Sequence, residues 1–177
     1  MSKVRLATVW MDGCSGCHMS LLDMDERLIE VFSLVDLVYS PLVDTKEYPE
    51  NVDVVLIEGA VSSEEDREKI HKIRKRSKFL ISLGDCAVTS NVPGMRNRFK
   101  MEDVEHRAYI ENASNNQSVP REVIPRMLPH SQPVHEHVKV DLWVPGCPPS
   151  ADTIYFVLTE LLAGRTPDLT GITHFGA

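Results

Sequence analysis

Apolar runs typical of buried β-strands alternate with helical patterns along most of the chain. Strands are predicted at Val4 to Met11, Leu34 to Tyr39, Val52 to Ile57, Phe79 to Leu83 and Val138 to Val144. Amphipathic helices are predicted from Ser20 to Val31, from Ser62 to Arg76 and from Ala151 to Leu162. Strands that alternate with helices form a parallel sheet with helices on both faces. We therefore predict an α/β, doubly wound fold with a flavodoxin-like, mostly parallel sheet.

The segment from Ala87 to His137 does not follow this alternation. It contains Asn, Pro and Ser clusters and only one helical pattern, near Met101 to Ile110. An irregular stretch of this length inside a compact domain usually serves a function or is covered by a partner. We expect residues 1–177 to form a single domain, with residues 87–137 as a partner-facing excursion before the last strand.

The charge balance and the length of the apolar runs argue against two classes of partner. Nineteen Lys and Arg residues against 26 Asp and Glu residues give a net charge of −7, whereas binding to nucleic acid needs a broad basic surface. Charged residues interrupt each apolar run before it reaches the roughly 18 residues that a membrane-spanning helix needs. The N-terminus enters the first strand without a signal-peptide pattern. We therefore expect no nucleic acid, no membrane partner and a cytoplasmic location.

The four cysteines all follow predicted strands. Cys14 and Cys17 come after the first strand, Cys86 after the fourth and Cys147 after the fifth. In a doubly wound sheet the carboxyl ends of the strands form the ligand-binding edge, so the four thiols are predicted to converge there. In a reducing compartment such cysteines bind metal or act in catalysis more often than they form disulfides.

Four thiolates can hold a structural zinc ion or an iron–sulfur cluster. Zinc sites usually come as two close pairs of ligands, and here only Cys14 and Cys17 are close in sequence. Single ligands on separate loops suit a larger cluster, which favours an iron–sulfur group over zinc. A redox-active thiol pair without metal and four buried structural cysteines are the remaining alternatives.

Four motifs around these cysteines resemble a known family. They are Trp10 to Ser20, which contains Cys14-Ser15-Gly16-Cys17, then Glu58-Gly59, Ser82 to Ala87, and Val144 to Pro149. Together they look like the cluster-binding domain of nickel–iron hydrogenase small subunits, over nearly the whole chain. The complex I subunit that carries the terminal cluster is similar, but its first motif has two adjacent cysteines.

The run from Cys14 through Glu26 most resembles the small subunit of cytoplasmic, bidirectional, NAD-reducing hydrogenases. The small subunits of periplasmic enzymes carry a twin-arginine leader and a second cysteine-rich domain. Neither is found here, so the resemblance implies a single cluster. It makes the four cysteines the ligands of one proximal 4Fe–4S cluster, and no residue of this chain catalytic. Glu58 and His18 are expected beside the ligands, although Glu58 could equally cap local backbone N–H groups and His18 could be a plain interface histidine.

The same resemblance implies the partners and the reaction. The nickel–iron site lies on a separate large subunit, and electrons pass to a diaphorase module with further clusters and a flavin. The overall reaction is H2 + NAD+ = NADH + H+. Two other functions stay open at this point, a complex I-type quinone-reductase cluster subunit and a zinc-stabilised interaction domain. The loop from Cys14 to Ser20 lacks the phosphate-binding pattern of flavodoxins, so no flavin mononucleotide is expected in this subunit.

Overall fold

The computed structural model describes residues 3–176. The strands in this part of the chain are β1 (Val4–Trp10), β2 (Val35–Tyr39), β3 (Val52–Glu58), β4 (Val61–Ser63), β5 (Ser77–Leu83), β6 (Met127–Gln132) and β7 (Leu142–Val144). The α-helices are α1 (Gly16–Leu22), α2 (Arg27–Leu34), α3 (Glu64–Arg76), α4 (Asp85–Thr89), α5 (Asn91–Gly94), α6 (Met101–His106) and α7 (Ala151–Leu162). Short 3₁₀ segments lie at Met95–Arg98 and Val134–Glu136, and a π-helical segment at Arg107–Glu111.

Five of the strands form one parallel sheet. Its strand order is β2-β1-β3-β5-β7, and each neighbouring pair is parallel. Counted within this sheet, the order is 2-1-3-4-5, which is the flavodoxin-like order predicted from the sequence. The doubly wound α/β fold is therefore confirmed.

Helices cover both faces of the sheet. Successive strand residues point to opposite sides, so each face carries apolar side chains that have to be buried. Val55 and Ile57 of β3 belong to a core cluster that includes Ile70 of α3. Leu56, between them in the sequence, belongs to a second cluster that includes Ile154 of α7. Both faces of β3 are thus buried, as its continuous apolar run indicates.

The amphipathic helix predicted over Ser20 to Val31 is two helices instead of one. α1 ends at Leu22 and α2 begins at Arg27. Between them Met24 is almost fully buried, and Asp25 adopts a φ of 51°. The left-handed conformation of Asp25 ends the first helix and turns the chain, a break that the continuous apolar pattern did not indicate.

The region before the last strand is more ordered than the sequence predicted. Beyond the predicted helix near Met101, residues 85–98 are largely helical, and β6 pairs antiparallel with β4 in a small second sheet. The last strand, predicted from Val138, covers only Leu142–Val144. Val138 and Val140 are buried in the core without joining the ladder, which explains why their apolar pattern resembled a strand.

Candidate functional site: four thiols at the carboxyl edge of the sheet

The strand ends that carry the cysteine loops lie in one row across the sheet. Trp10 pairs with Glu58, Glu58 with Leu83, and Leu83 with Val144. The chain therefore leaves β1, β5 and β7 at the same level of the sheet. The segments that follow these three strands contain all four cysteines, as the sequence predicted, two of them in loops and two in the short helices α1 and α4.

Direct contacts join the three cysteine loops. The Ser20 hydroxyl, in α1, donates to the Pro149 carbonyl in the loop after β7 at 2.5 Å. The Asp85 N–H donates to the Gly146 carbonyl at 2.9 Å, and the Gly146 N–H donates to Asp85 Oδ1 at 2.7 Å. The reciprocal bonds of Asp85 connect the loop of Cys86 to that of Cys147.

Gly84 lets the Cys86 loop pack directly on the first loop. Its φ of 80° and ψ of 160° fall in a region that is essentially restricted to glycine. A Cβ at this position would come closer than 3.0 Å to the Cys17 Sγ, a distance that real Cβ atoms do not show. The backbone of one cysteine loop therefore touches the sulfur of another.

All four cysteines carry free thiols in different environments. Cys17 is buried, Cys86 is half-buried, and Cys14 and Cys147 are exposed. Burial raises the pKa of the Cys17 thiol, and the negative charges of Glu58 and the other three cysteines raise it further. Burial also raises the pKa of Cys86, where the nearby Val92 N–H acts in the opposite direction. The thiols thus share one electrostatic field, and a bound cationic group would be needed to hold all four as thiolates.

Two of the thiols accept a hydrogen bond from a nearby N–H group. The Gly16 N–H lies 3.4 Å from Cys14 Sγ, and the Asn91 side-chain amide lies 3.5 Å from Cys147 Sγ. Donors of this kind stabilise negative charge on sulfur.

Glu58 and His18 lie beside Cys17, one of the four expected ligands. Glu58 is 2% exposed, and its carboxylate accepts the Cys17 N–H at 3.2 Å and the His18 N–H at 3.0 Å. The Ser15 side chain does not cap helix α1, so Glu58 satisfies two N–H groups of its first turn from a neighbouring strand. The His18 ring also contacts Glu58, through Nδ1. Glu58 therefore caps local backbone N–H groups, which is one of the two roles expected for it from the sequence.

The hydrogen-bond chain from Glu58 and His18 continues to Thr8 and Ser40, two residues that the sequence did not single out. His18 Nε2 lies 3.0 Å from the Thr8 hydroxyl, which donates to the Ser40 hydroxyl at 2.8 Å. His18, Thr8 and Ser40 are all buried. A Thr inside a strand and a Ser after a strand carry no signal of such a role, since only the tertiary structure brings them together.

Two further findings concern what the described residues, 3–176, do not contain. No group of three or more His, Cys, Asp or Glu side chains there has the geometry to hold a single metal ion. None of the helices in that range is both long enough and apolar enough to span a membrane.

Comparison with known families gives a match to most of the chain. The model of the family described as NADH ubiquinone oxidoreductase, 20 Kd subunit, matches residues 14–161. This range begins at Cys14 and includes all four cysteines.

Curated relatives cover nearly all of this chain. The delta subunit of NAD-reducing hydrogenase HoxS from Cupriavidus necator is 42% identical over 172 residues, which are 94% of this chain and 82% of that relative. One subunit of the F420-non-reducing hydrogenase vhu from Methanocaldococcus jannaschii is 39% identical over 168 residues. Here the match covers 94% of this chain but only 58% of the relative, so the chain spans little more than half the length of that protein.

Solved structures agree with the fold. A chain in the crystal structure of an NAD+-reducing NiFe-hydrogenase in the H2-reduced state superposes with a TM-score of 0.94 at 36% identity, covering 98% of this chain and 99% of that chain. The reduced Ni-Fe-Se hydrogenase from Desulfomicrobium baculatum gives a TM-score of 0.59 at 19% identity, covering 94% of this chain and 67% of that chain. The second likeness concerns the fold alone.

Proposed function

Because this chain belongs to the NADH ubiquinone oxidoreductase 20 Kd subunit family, we propose that it is the electron-transfer small subunit of an NAD-reducing nickel–iron hydrogenase. In this proposal Cys14, Cys17, Cys86 and Cys147 ligate one 4Fe–4S cluster. The observation that carries it is the convergence of four free thiols from three loops at one edge of the sheet.

The donor set fits an iron–sulfur cluster. Four cysteine thiolates are the usual ligands of such clusters, and N–H groups that point at sulfur are typical of their surroundings. Here the Gly16 N–H and the Asn91 side-chain amide supply two such donors. One loop supplies a close pair of cysteines and the other two supply one cysteine each, whereas structural zinc sites usually use two close pairs.

When bound, a cluster of this type accepts and passes on one electron at a time. The residues of this chain hold it and set its surroundings. Cys17 anchors the buried side, and Glu58 holds Cys17 by fixing the first turn of α1. Cys14 and Cys147 lie on the exposed side, which a partner protein can approach.

The partners follow from the same proposal. Residues that activate hydrogen would lie on a large subunit with the nickel–iron site, and a flavin-containing diaphorase module would reduce NAD+. The overall reaction would be H2 + NAD+ = NADH + H+. The free thiols suit the reducing cytoplasm. We expect residues 87–137 to face these partners.

A complex I-type quinone reductase subunit is the second candidate, since the family model bears that description. The separation of Cys14 and Cys17 argues against it, because the complex I motif resembled here has adjacent cysteines. The two functions differ in the electron acceptor, so enzyme assays separate them.

The test is anaerobic purification of the intact complex followed by metal analysis and electron paramagnetic resonance (EPR) of the dithionite-reduced sample. We expect a spin-half cluster signal assigned to this chain, nickel in a larger copurifying chain, and H2-dependent reduction of NAD+. Substitution of Cys86 by Ser should remove the signal of this cluster. A colourless chain with one zinc ion, or H2-independent reduction of a quinone, would refute the proposal. Stoichiometric flavin bound to this chain would contradict the expectation of no flavin mononucleotide.

A further inference from the structure

The turn after α4 contacts two of the proposed ligands at once. Ser90 has a φ of 65°, and α5 starts directly after it at Asn91. The Asn91 side-chain amide donates to Cys147 Sγ at 3.5 Å, while the neighbouring Ser90 is bonded to the backbone of Cys86. Cys86 and Cys147 follow different strands, so this turn joins ligands from two loops.

Buried hydrogen bonds hold the turn in place. The Ser90 N–H donates to the Cys86 carbonyl at 3.0 Å, and the Ser90 hydroxyl lies 2.8 Å from the hydroxyl of Ser131 in β6. Asn97 then makes two bonds to the Ser131 backbone, of 2.7 and 2.8 Å. Ser131 of β6 thus holds both Ser90 and Asn97. These two residues fix the backbone before and after Asn91.

We propose that Asn91 is a positioning residue that raises the reduction potential of the cluster through its hydrogen bond to Cys147. This inference rests on the proposed function. An N–H donor stabilises negative charge on the ligand sulfur. A reduced cluster carries one more negative charge than an oxidised one, so the donor stabilises the reduced form more and makes reduction easier.

Asn91 differs from the other donor in a way that makes it testable. The Gly16 donor is a backbone N–H group, which a substitution leaves in place. The Asn91 donor belongs to a side chain, and Asn91→Ala removes it. Asn91→Asp keeps the shape but replaces the amide by an acceptor with a negative charge. Asn91→Gln keeps the donor on a longer chain.

The experiment is a potentiometric titration of the purified complex, followed by the EPR signal of this cluster, with iron and sulfide determined on each sample. For Asn91→Ala we expect the ratio of reduced to oxidised cluster at a fixed potential to fall about threefold, the order expected for one hydrogen bond. At 59 mV per tenfold change, this is a shift of about 28 mV to more negative potential. Asn91→Asp should shift the potential further in the same direction. Asn51→Ala and Asn51→Asp, at an exposed position before β3 and so at the opposite edge of the sheet, are the matched controls and should leave the potential unchanged.

Full iron content with an unchanged potential in both Asn91→Ala and Asn91→Asp would overturn the inference. If Asn91→Ala loses iron, the comparison of Asn91→Gln with Asn91→Asp decides. If the potential is more negative in Asn91→Asp but not in Asn91→Gln, the inference is supported. If the two variants have equal potentials, the inference is overturned. Failure of the proposed function has a different signature, because the unsubstituted complex would then lack the cluster or would reduce a quinone without H2.

Discussion

Gly84→Ala tests the close packing of the cysteine loops at a single atom. The added methyl group has no space, because it would lie closer than 3.0 Å to the Cys17 Sγ. The two atoms have to separate to about 3.4 Å or more before the contact becomes ordinary van der Waals packing. Cys17 is buried beneath this contact, so the thiol has little room to move away.

Two contributions determine the magnitude of the effect. The conformation of Gly84 costs an alanine about 1–3 kcal/mol, since it lies in a region open essentially to glycine. Overpacking a buried site typically costs a further 1–3 kcal/mol or so. Together they predict a loss of about 2–6 kcal/mol of folding free energy, or a displaced Cys17 that no longer meets the other three ligands.

The assay compares iron content, the EPR signal of this cluster and the melting temperature of the complex. Gly164→Ala is the matched control, since Gly164 also has a positive φ, of 73°, but a Cβ there would meet no atom within 4 Å. We expect the control to lose about 1–2 kcal/mol from backbone strain alone and to keep its iron.

Gly84→Ala should lose iron or change the EPR signal as well as melt earlier. A Gly84→Ala complex with full iron content, the unsubstituted signal and the melting temperature of the Gly164→Ala control would refute the proposed packing of Gly84 on Cys17.

Three further predictions concern polar groups that are buried or half-buried. Glu58→Gln removes charge-assisted hydrogen bonds at a buried site and should lower the stability of the complex by about 3 kcal/mol, measured by thermal unfolding. Burial raises the pKa of Tyr48 to about 12, so the folded state keeps a proton that the unfolded chain loses near pH 10. Stability should therefore fall as the pH rises from about 10 to about 12, and less so in Tyr48→Phe. Burial acts to raise the pKa of Asp141, but hydrogen bonds from Arg74 and the Leu80 N–H hold it below its usual value. The stability that Asp141 contributes should be present above about pH 4 and lost at lower pH. In Asp141→Asn the fall in stability below about pH 4 should be smaller.

Local patterns in the sequence were sufficient for much of the architecture. A strand buried on both faces leaves a continuous apolar run, and a helix such as α3 is marked by Ser63 at its start and basic residues at its end. The positions of the cysteines after three strands then implied their convergence, because parallel strands end at one edge of a sheet. The resemblance of the motifs around them placed Glu58 and His18 beside Cys17.

Local sequence patterns gave wrong element boundaries where the same apolar pattern fits two different structures. Val138 and Val140 would be buried in either a strand or a packed loop, so their pattern does not distinguish the two. The break after Leu22 depends on the left-handed conformation of Asp25 and the burial of Met24, which a continuous helical periodicity conceals.

The amino-acid sequence by itself determined the doubly wound sheet and the four thiols at its carboxyl edge, because both follow from periodicity and chain order. The tertiary structure alone decided which polar groups surround those thiols. Asn91 lies 56 residues before Cys147, and Thr8 lies 32 residues before Ser40. Hydrogen bonds over such separations leave no periodic trace in the chain, since they depend on how loops from different strands are placed by the folded core.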